Sequence, residues 1–182
     1  MVDVLFLCTG NLCRSPSAAW FLCDQLAKSG TQDVRVASAG TLGSTLDIPE
    51  PLLRAGKAFG LDLSNHQPRK FDPDAVRGAD LIVGMAREHV REAILADPPS
   101  FVRTYTLREI VRRGVERGPR GPQESLGQWL ERLHAGRRHI DLIGDSPDDD
   151  IPDPMGGSPE DFASMLGEVG SKTRQLYGLI WR

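Results

Sequence analysis

The segment "VLFLCTGNLCRSPSAAW", Val4 to Trp20, ends an apolar run on Cys8 and places Arg14 six residues later, directly before Ser15 and Pro16. A thiolate is a strong nucleophile, and an arginine guanidinium is a planar fork matched to two oxygens of a phosphate. Between them lie Thr9, Gly10, Asn11, Leu12 and Cys13, a stretch long enough to wrap as a loop with its backbone N–H groups turned inward. Gly10 and Asn11 are the residue types that best tolerate the positive φ such a wrap demands. A ring of amides next to a helix N-terminus is an anion cradle, and the same field favours the ionised sulfur of Cys8. These parts allow one reaction. Cys8 attacks phosphorus in line, an alcohol or phenol leaves, and water then hydrolyses the cysteinyl-phosphate. Arg14 and the loop amides from residue 9 to Ser15 hold the equatorial oxygens as charge redistributes. They already neutralise a dianion, so neither a metal nor an organic cofactor is expected. A C-x5-R spacing is weak on its own, and a cysteine ending a buried strand is often only a small core residue. The context favours the catalytic reading, with a strand before the loop and a helix after it.

Those elements can be read from the pattern. "VDVLFLC" is short, continuous and apolar, as a strand buried on both faces should be. "SPSAAWFLCDQLAKSG" predicts a helix with Ser15 as N-cap, Pro16 in the first turn and Gly30 closing it. Further strands are expected at "VRVASAGT", "ADLIVGM" and "FVRTYTL", and helices at "PEPLLRAGKAFG" and "AREHVREAILAD", the latter ended by Pro98 and Pro99. A long last helix is capped by Ser158. Its Phe162, Met165, Leu166, Val169, Leu176 and Ile180 recur at helical spacing. Strands alternating with helices imply an α/β fold, an open parallel sheet covered on both faces. In such sheets ligands bind outside the carboxyl ends of the strands, where Cys8 lies. Residues 1–182 read as a single domain, interrupted by an excursion at about Arg108–Pro152. That stretch is basic at "VRRGVERGPRG", helical at "QESLGQWLERLHAG" and acidic at "DSPDDDIPDP". It reads as a solvated excursion or as a lid beside the site.

Composition sets the outer bounds. A chain of 182 residues can bury a real core, and its net charge of -3 shows no nucleic-acid footprint. No apolar run is long enough to span a bilayer, and "MVDVLFLC" lacks the basic start of a signal peptide. A cytoplasmic protein is expected, with no nucleic-acid or membrane partner; the oligomeric state is left open. The three cysteines, Cys8, Cys13 and Cys23, are neither a disulfide framework nor a zinc set. Cys23 falls inside the first helix and reads as a core residue. His89 and His134 read as surface or partly packed, and His139 has no evident role.

"CTGNLCRSP" resembles the low-molecular-weight protein tyrosine phosphatases, and "SAGT" (Ser38–Thr41) and "NHQPRKF" (Asn65–Phe71) are similar to further segments of that family. The resemblance implies a three-layer fold, a four-stranded parallel sheet flanked by helices, with the phosphate-binding loop after strand one. It makes Cys8 the nucleophile and Arg14 the phosphate clamp. Asn11 would hold the loop shape, Ser15 would stabilise the departing thiolate, and His66 would support Asn11 and Ser15. It also implies a general acid, for which Asp153 of Asp153-Pro154 matches in position. That aspartate must be protonated in the first step, and Asp148, Asp149 and Asp150 are expected to assist by like-charge repulsion. Cys13 would protect Cys8 through a reversible disulfide.

The expected substrate is a phosphorylated protein, foremost phosphotyrosine, or a small aryl phosphate. Leu12 resembles the bulky aliphatic residue of tyrosine-directed members, whereas the related protein-arginine phosphatases tend to carry a small polar residue there. Tyrosine-directed members commonly have an aromatic residue after Asp-Pro; this chain has Met155, and Leu42 and Leu46 in the loop after strand two. An arsenate reductase on the same scaffold would need further cysteines, and none follows Cys23. A non-catalytic phosphate- or phosphopeptide-binding module would be expected to have lost Cys8, Arg14 or Asp153.

Overall fold

A computed structural model describes residues 1–181. Four strands, β1 (Val2–Cys8), β2 (Val34–Gly40), β3 (Leu81–Gly84) and β4 (Thr104–Thr106), form one parallel sheet in the order β2-β1-β3-β4. Side chains alternate across it, as the two-residue period of a strand requires. Val4, Phe6, Cys8, Leu81, Val83 and Tyr105 enter one core. Leu5, Leu7 and Ile82 enter another on the opposite face. The first core is closed by α1 (Arg14–Ser29), α2 (Glu50–Lys57), α5 (Leu107–Arg117), α6 (Leu126–His134) and α7 (Pro159–Ile180). The second is closed by α3 (Pro73–Gly78) and α4 (Arg87–Ala96). The result is the three-layer arrangement expected. Because the chain runs from β1 out to β2 and then back across to β3, the strand order reverses beside β1, the place where such sheets open a crevice.

The first strand lies where its sequence puts it, and in α7 Ser158 Oγ accepts the Asp161 amide at 3.3 Å while all six spaced apolar residues are buried. Several expectations are corrected. The segment "FVRTYTL" begins inside a 3-10 turn, Pro98–Arg103, and only Thr104–Thr106 lie in the sheet. Helix α3, capped by Asp72, went unread in the sequence, although Asp72 followed by Pro73 is a helix-start signal. Residues 108–152 are not a solvated excursion. Trp129 is wholly buried with Leu130 and Leu133, and Ile151 packs in the main core. Buried Arg137 donates to Glu109 Oε1 at 2.7 Å and lies 3.9 Å over the Tyr105 ring. Helical periodicity signalled α6, but the arginines around it masked how much is buried, because their stems pack while their charges pair. Cys23 is exposed, on the outer side of α1. His139 stacks on Phe101 at 4.1 Å.

Candidate active site

The loop from Cys8 to Ser15 hangs between the end of β1 and the start of α1. Its wrap depends on Asn11, which sits at φ 58°, in the left-handed region. The Asn11 side chain ties the loop shut. Nδ2 donates to Ser15 Oγ and Ser38 Oγ, each at 2.9 Å, and Oδ1 accepts the Arg69 amide at 3.1 Å. His66 Nε2 donates to the Asn11 carbonyl at 2.9 Å. Gly40, opposite Cys8 in the sheet register, allows β2 to lie against this wrap: a Cβ there would come within 2.6 Å of the Thr9 carbonyl. Among the described residues no protein acceptor takes the amides of Gly10, Leu12, Cys13, Arg14 or Ser15. They are donors for an anion at the start of a 16-residue helix.

Ser15 is not the helix cap expected of it. α1 begins at Arg14, preceded by Cys13 with no side-chain cap. The Ser15 hydroxyl is turned to the site instead, 3.0 Å from Cys8 Sγ. Asn11 donates into Ser15 Oγ, and the Ser15 proton has two acceptors within reach, the Ala39 carbonyl at 3.4 Å and the nearer Cys8 sulfur, where it would steady a thiolate. Cys13 is buried, with its Sγ 3.6 Å from Met155 Sδ. Burial, then the nearby Asp153 and Cys8, push its thiol up to about 12.

Arg14 is almost wholly buried and held at both ends of its fork. Nη1 donates to the Ile151 carbonyl at 3.2 Å, and Nη2 donates to Thr9 Oγ1 at 3.2 Å and Asp153 Oδ2 at 2.5 Å. The Asp153 side chain is 42% exposed. Its other oxygen accepts the Met155 amide at 3.1 Å, which fixes the turn after Pro154. Thus residues 139 positions apart in sequence meet in one ion pair. The Ile151 amide donates to the Met85 carbonyl just past β3, at 2.8 Å, so the acidic loop is pinned to the sheet's carboxyl edge.

The acidic run serves a different end from the one expected. Asp149 is buried between Arg87, at 2.7 Å, and Arg112, at 2.8 Å. Asp150 accepts the Arg87 and Ser146 amides, both at 2.7 Å. Their charges are matched by arginines and amides, and these contacts anchor the Asp153 loop. His89, expected at the surface or partly packed, is neither. It is fully buried, and its Nε2 lies 3.0 Å from Thr9 Oγ1. Its position in the first turn after β3, at the carboxyl edge of the sheet, is the signal that could have found it. Leu42 and Leu46 are exposed, in the segment that follows β2.

Fold and site together define a class: a parallel α/β sheet carrying a cysteine at the base of an amide-lined, arginine-closed anion loop. A family model described as low molecular weight phosphotyrosine protein phosphatase matches residues 3–113, and the chain belongs to that family of cysteine-dependent phosphoric monoester hydrolases. The low molecular weight protein-tyrosine-phosphatase Etp of Escherichia coli K12 is 28% identical over 167 residues, covering 91% of this chain and 85% of Etp. A crystal structure of the low molecular weight protein tyrosine phosphatase from T. tengcongensis superposes with a TM-score of 0.72 at 23% identity, covering 98% of this chain and 99% of that one. The YwlE arginine phosphatase from Geobacillus stearothermophilus does so with a TM-score of 0.68 at 21% identity, covering 98% and 92%. The fold is therefore common to tyrosine- and arginine-directed enzymes. Among the described residues, no helix is long and apolar enough to cross a membrane.

Proposed function

We propose that this protein hydrolyses protein phosphotyrosine through a cysteinyl-phosphate at Cys8. The observation that carries the reading is the meeting of Cys8, Ser15, Arg14 and Asp153 around one ring of free amides. The dianion enters the ring and takes Arg14 as its bidentate partner, displacing Asp153 from the 2.5 Å ion pair. Cys8 sulfur attacks phosphorus as the bond to the phenolic oxygen breaks. Asp153, protonated for this step, delivers its proton to that oxygen. In the second step Asp153 takes a proton from water, which attacks phosphorus and releases Cys8 as a thiolate that Ser15 Oγ receives. Thr9, Gly10, Leu12 and Cys13 contribute loop amides, while Asn11 and His66 keep the loop in shape.

The preference for an aryl ester rests on Leu12, the buried aliphatic side chain of the loop, on Met155, whose Sδ lies 3.6 Å from Cys13 Sγ, and on Leu42 and Leu46, apolar groups exposed in the segment after β2. The name of the E. coli relative points the same way. The fold it shares with an arginine phosphatase makes phosphoarginine the second reading. Peptides carrying each phosphoresidue, assayed side by side, test this. Faster turnover of phosphotyrosine, abolished by Cys8→Ser, is expected; a preference for phosphoarginine overturns the assignment, and binding without turnover makes the protein a phosphopeptide-binding module. Cysteine usage, with a nucleophile and a second thiol five residues on, suits the cytoplasm.

A further inference from the structure

The two ring nitrogens of His89 have different partners. Nδ1 accepts the Ala86 amide at 3.0 Å. An accepting Nδ1 carries no proton, so the neutral ring carries it on Nε2. Nε2 lies 3.0 Å from Thr9 Oγ1 and 3.2 Å from Glu88 Oε1. Thr9 Oγ1 also receives Arg14 Nη2 at 3.2 Å and reaches Glu88 Oε1 at 3.3 Å. A hydroxyl has one proton and two lone pairs, and here all three are assigned. His89 and Arg14 fill the lone pairs, and the proton goes to the Glu88 carboxylate. With the ring reversed, an Nδ1 proton would collide with the Ala86 N–H, and Nε2 would have to take the Thr9 proton from Glu88.

We propose that His89 is a positioning residue for Arg14, acting through Thr9: it holds the hydroxyl so that a lone pair faces the guanidinium and keeps the fork aimed across the mouth of the loop. This rests on the phosphatase reading and adds to it a support on the side of the site away from Asn11 and His66. Burial, with Arg14 and Arg91 nearby, pushes the His89 pKa down to about 3, so the ring approaches Arg14 without adding a second positive charge.

The test separates His89's two bonds. His89→Asn keeps an acceptor near Nδ1 for the Ala86 amide but cannot reach Thr9. His89→Gln places an amide nitrogen near Nε2. Melting temperature, the Kd of inorganic phosphate by calorimetry, and aryl phosphate kinetics are measured for both variants, for Thr9→Val and for the Thr9→Val/His89→Asn double variant. For His89→Asn we expect phosphate Kd and KM to rise about tenfold, as when one hydrogen bond orienting a charged group is lost. We expect His89→Gln to recover most of it, and the double variant to be no worse than Thr9→Val alone. Unchanged phosphate affinity in a folded His89→Asn, or losses that multiply in the double variant, overturns the proposal. If His89→Asn does not fold, 15N NMR of the parent imidazole decides: a proton on Nε2 supports the proposal and one on Nδ1 overturns it. A parent that binds phosphate but turns over no ester refutes the phosphatase reading, while the affinity comparison still judges His89.

Discussion

At the scale of single residues, the proposed mechanism divides the work between groups that would meet the substrate and groups that shape the loop, and the two should fail differently. Asp153 reaches Arg14 from a partly open position, so replacing it should leave folding intact. Asp153→Asn is expected to slow hydrolysis of phenyl phosphate, a poor leaving group, by about 10²–10⁴-fold. It should slow p-nitrophenyl phosphate much less; equal losses on both would remove Asp153 from the acid role. Asn11 makes three side-chain hydrogen bonds that close the loop. Asn11→Ala should lower both kcat/KM and melting temperature, since a residue at φ 58° without those bonds no longer holds the turn. Cys13 is buried within the nucleophile's own loop. After peroxide converts Cys8 to a sulfenic acid, the Cys13 thiol can attack that sulfur and release water, closing a disulfide. Activity of the parent should then return with added thiol, and Cys13→Ser should recover less; equal recovery would count against protection.

At the scale of elements, two contacts decide where the catalytic loops lie. Gly40 ends β2 directly under the Thr9 carbonyl. Gly40→Ala should destabilise the fold by about 1–3 kcal/mol or push the phosphate loop outward with loss of oxyanion binding. A variant that melts and binds phosphate like the parent would show that the close approach is dispensable. The second contact is the anchor of the Asp153 loop on α4 and α5 through Asp149, Arg87 and Arg112. Breaking a buried pair leaves an unpaired charge, so Asp149→Asn should cost about 3 kcal/mol of stability. The alkaline limb of the pH–rate profile, where an acid that must be protonated is lost, should stay where it is, because the Asp149 carboxylate is already matched by two guanidinium groups; a displaced limb would restore an electrostatic role for the acidic run.

For the whole molecule, stability on the acid side should carry the mark of His89. Its folded-state pKa, about 3, lies below the ordinary value of 6.5 because the ring is buried beside Arg14 and Arg91. A group depressed in this way contributes stability that is complete above about pH 6.5 and is lost as pH falls toward 3. Glu124, held near 2 by Arg132 and the Gly121 amide, adds a loss that begins only below its ordinary value of 4.5. Thermal melts from pH 7 to 4 should therefore fall in the parent and flatten in His89→Gln. Parallel slopes would mean that another group governs acid unfolding.

The sequence by itself determined the chemistry and most of the frame. Cys8, Arg14 and the loop between them are local, set by a buried apolar strand running into a turn and then a helix, and short-range spacing records that fully. The same holds for α7, whose cap and apolar stripe are both written in its residues. The tertiary structure alone decided which distant residues meet. Ser15 turned from cap to thiol partner, Asp149 from proton keeper to anchor, and His89 from surface residue to part of the site wall. Each of these depends on a partner 7 to 80 positions away. Such pairings follow from strand order and burial, which close the crevice beside β1, and no local pattern of polarity encodes them.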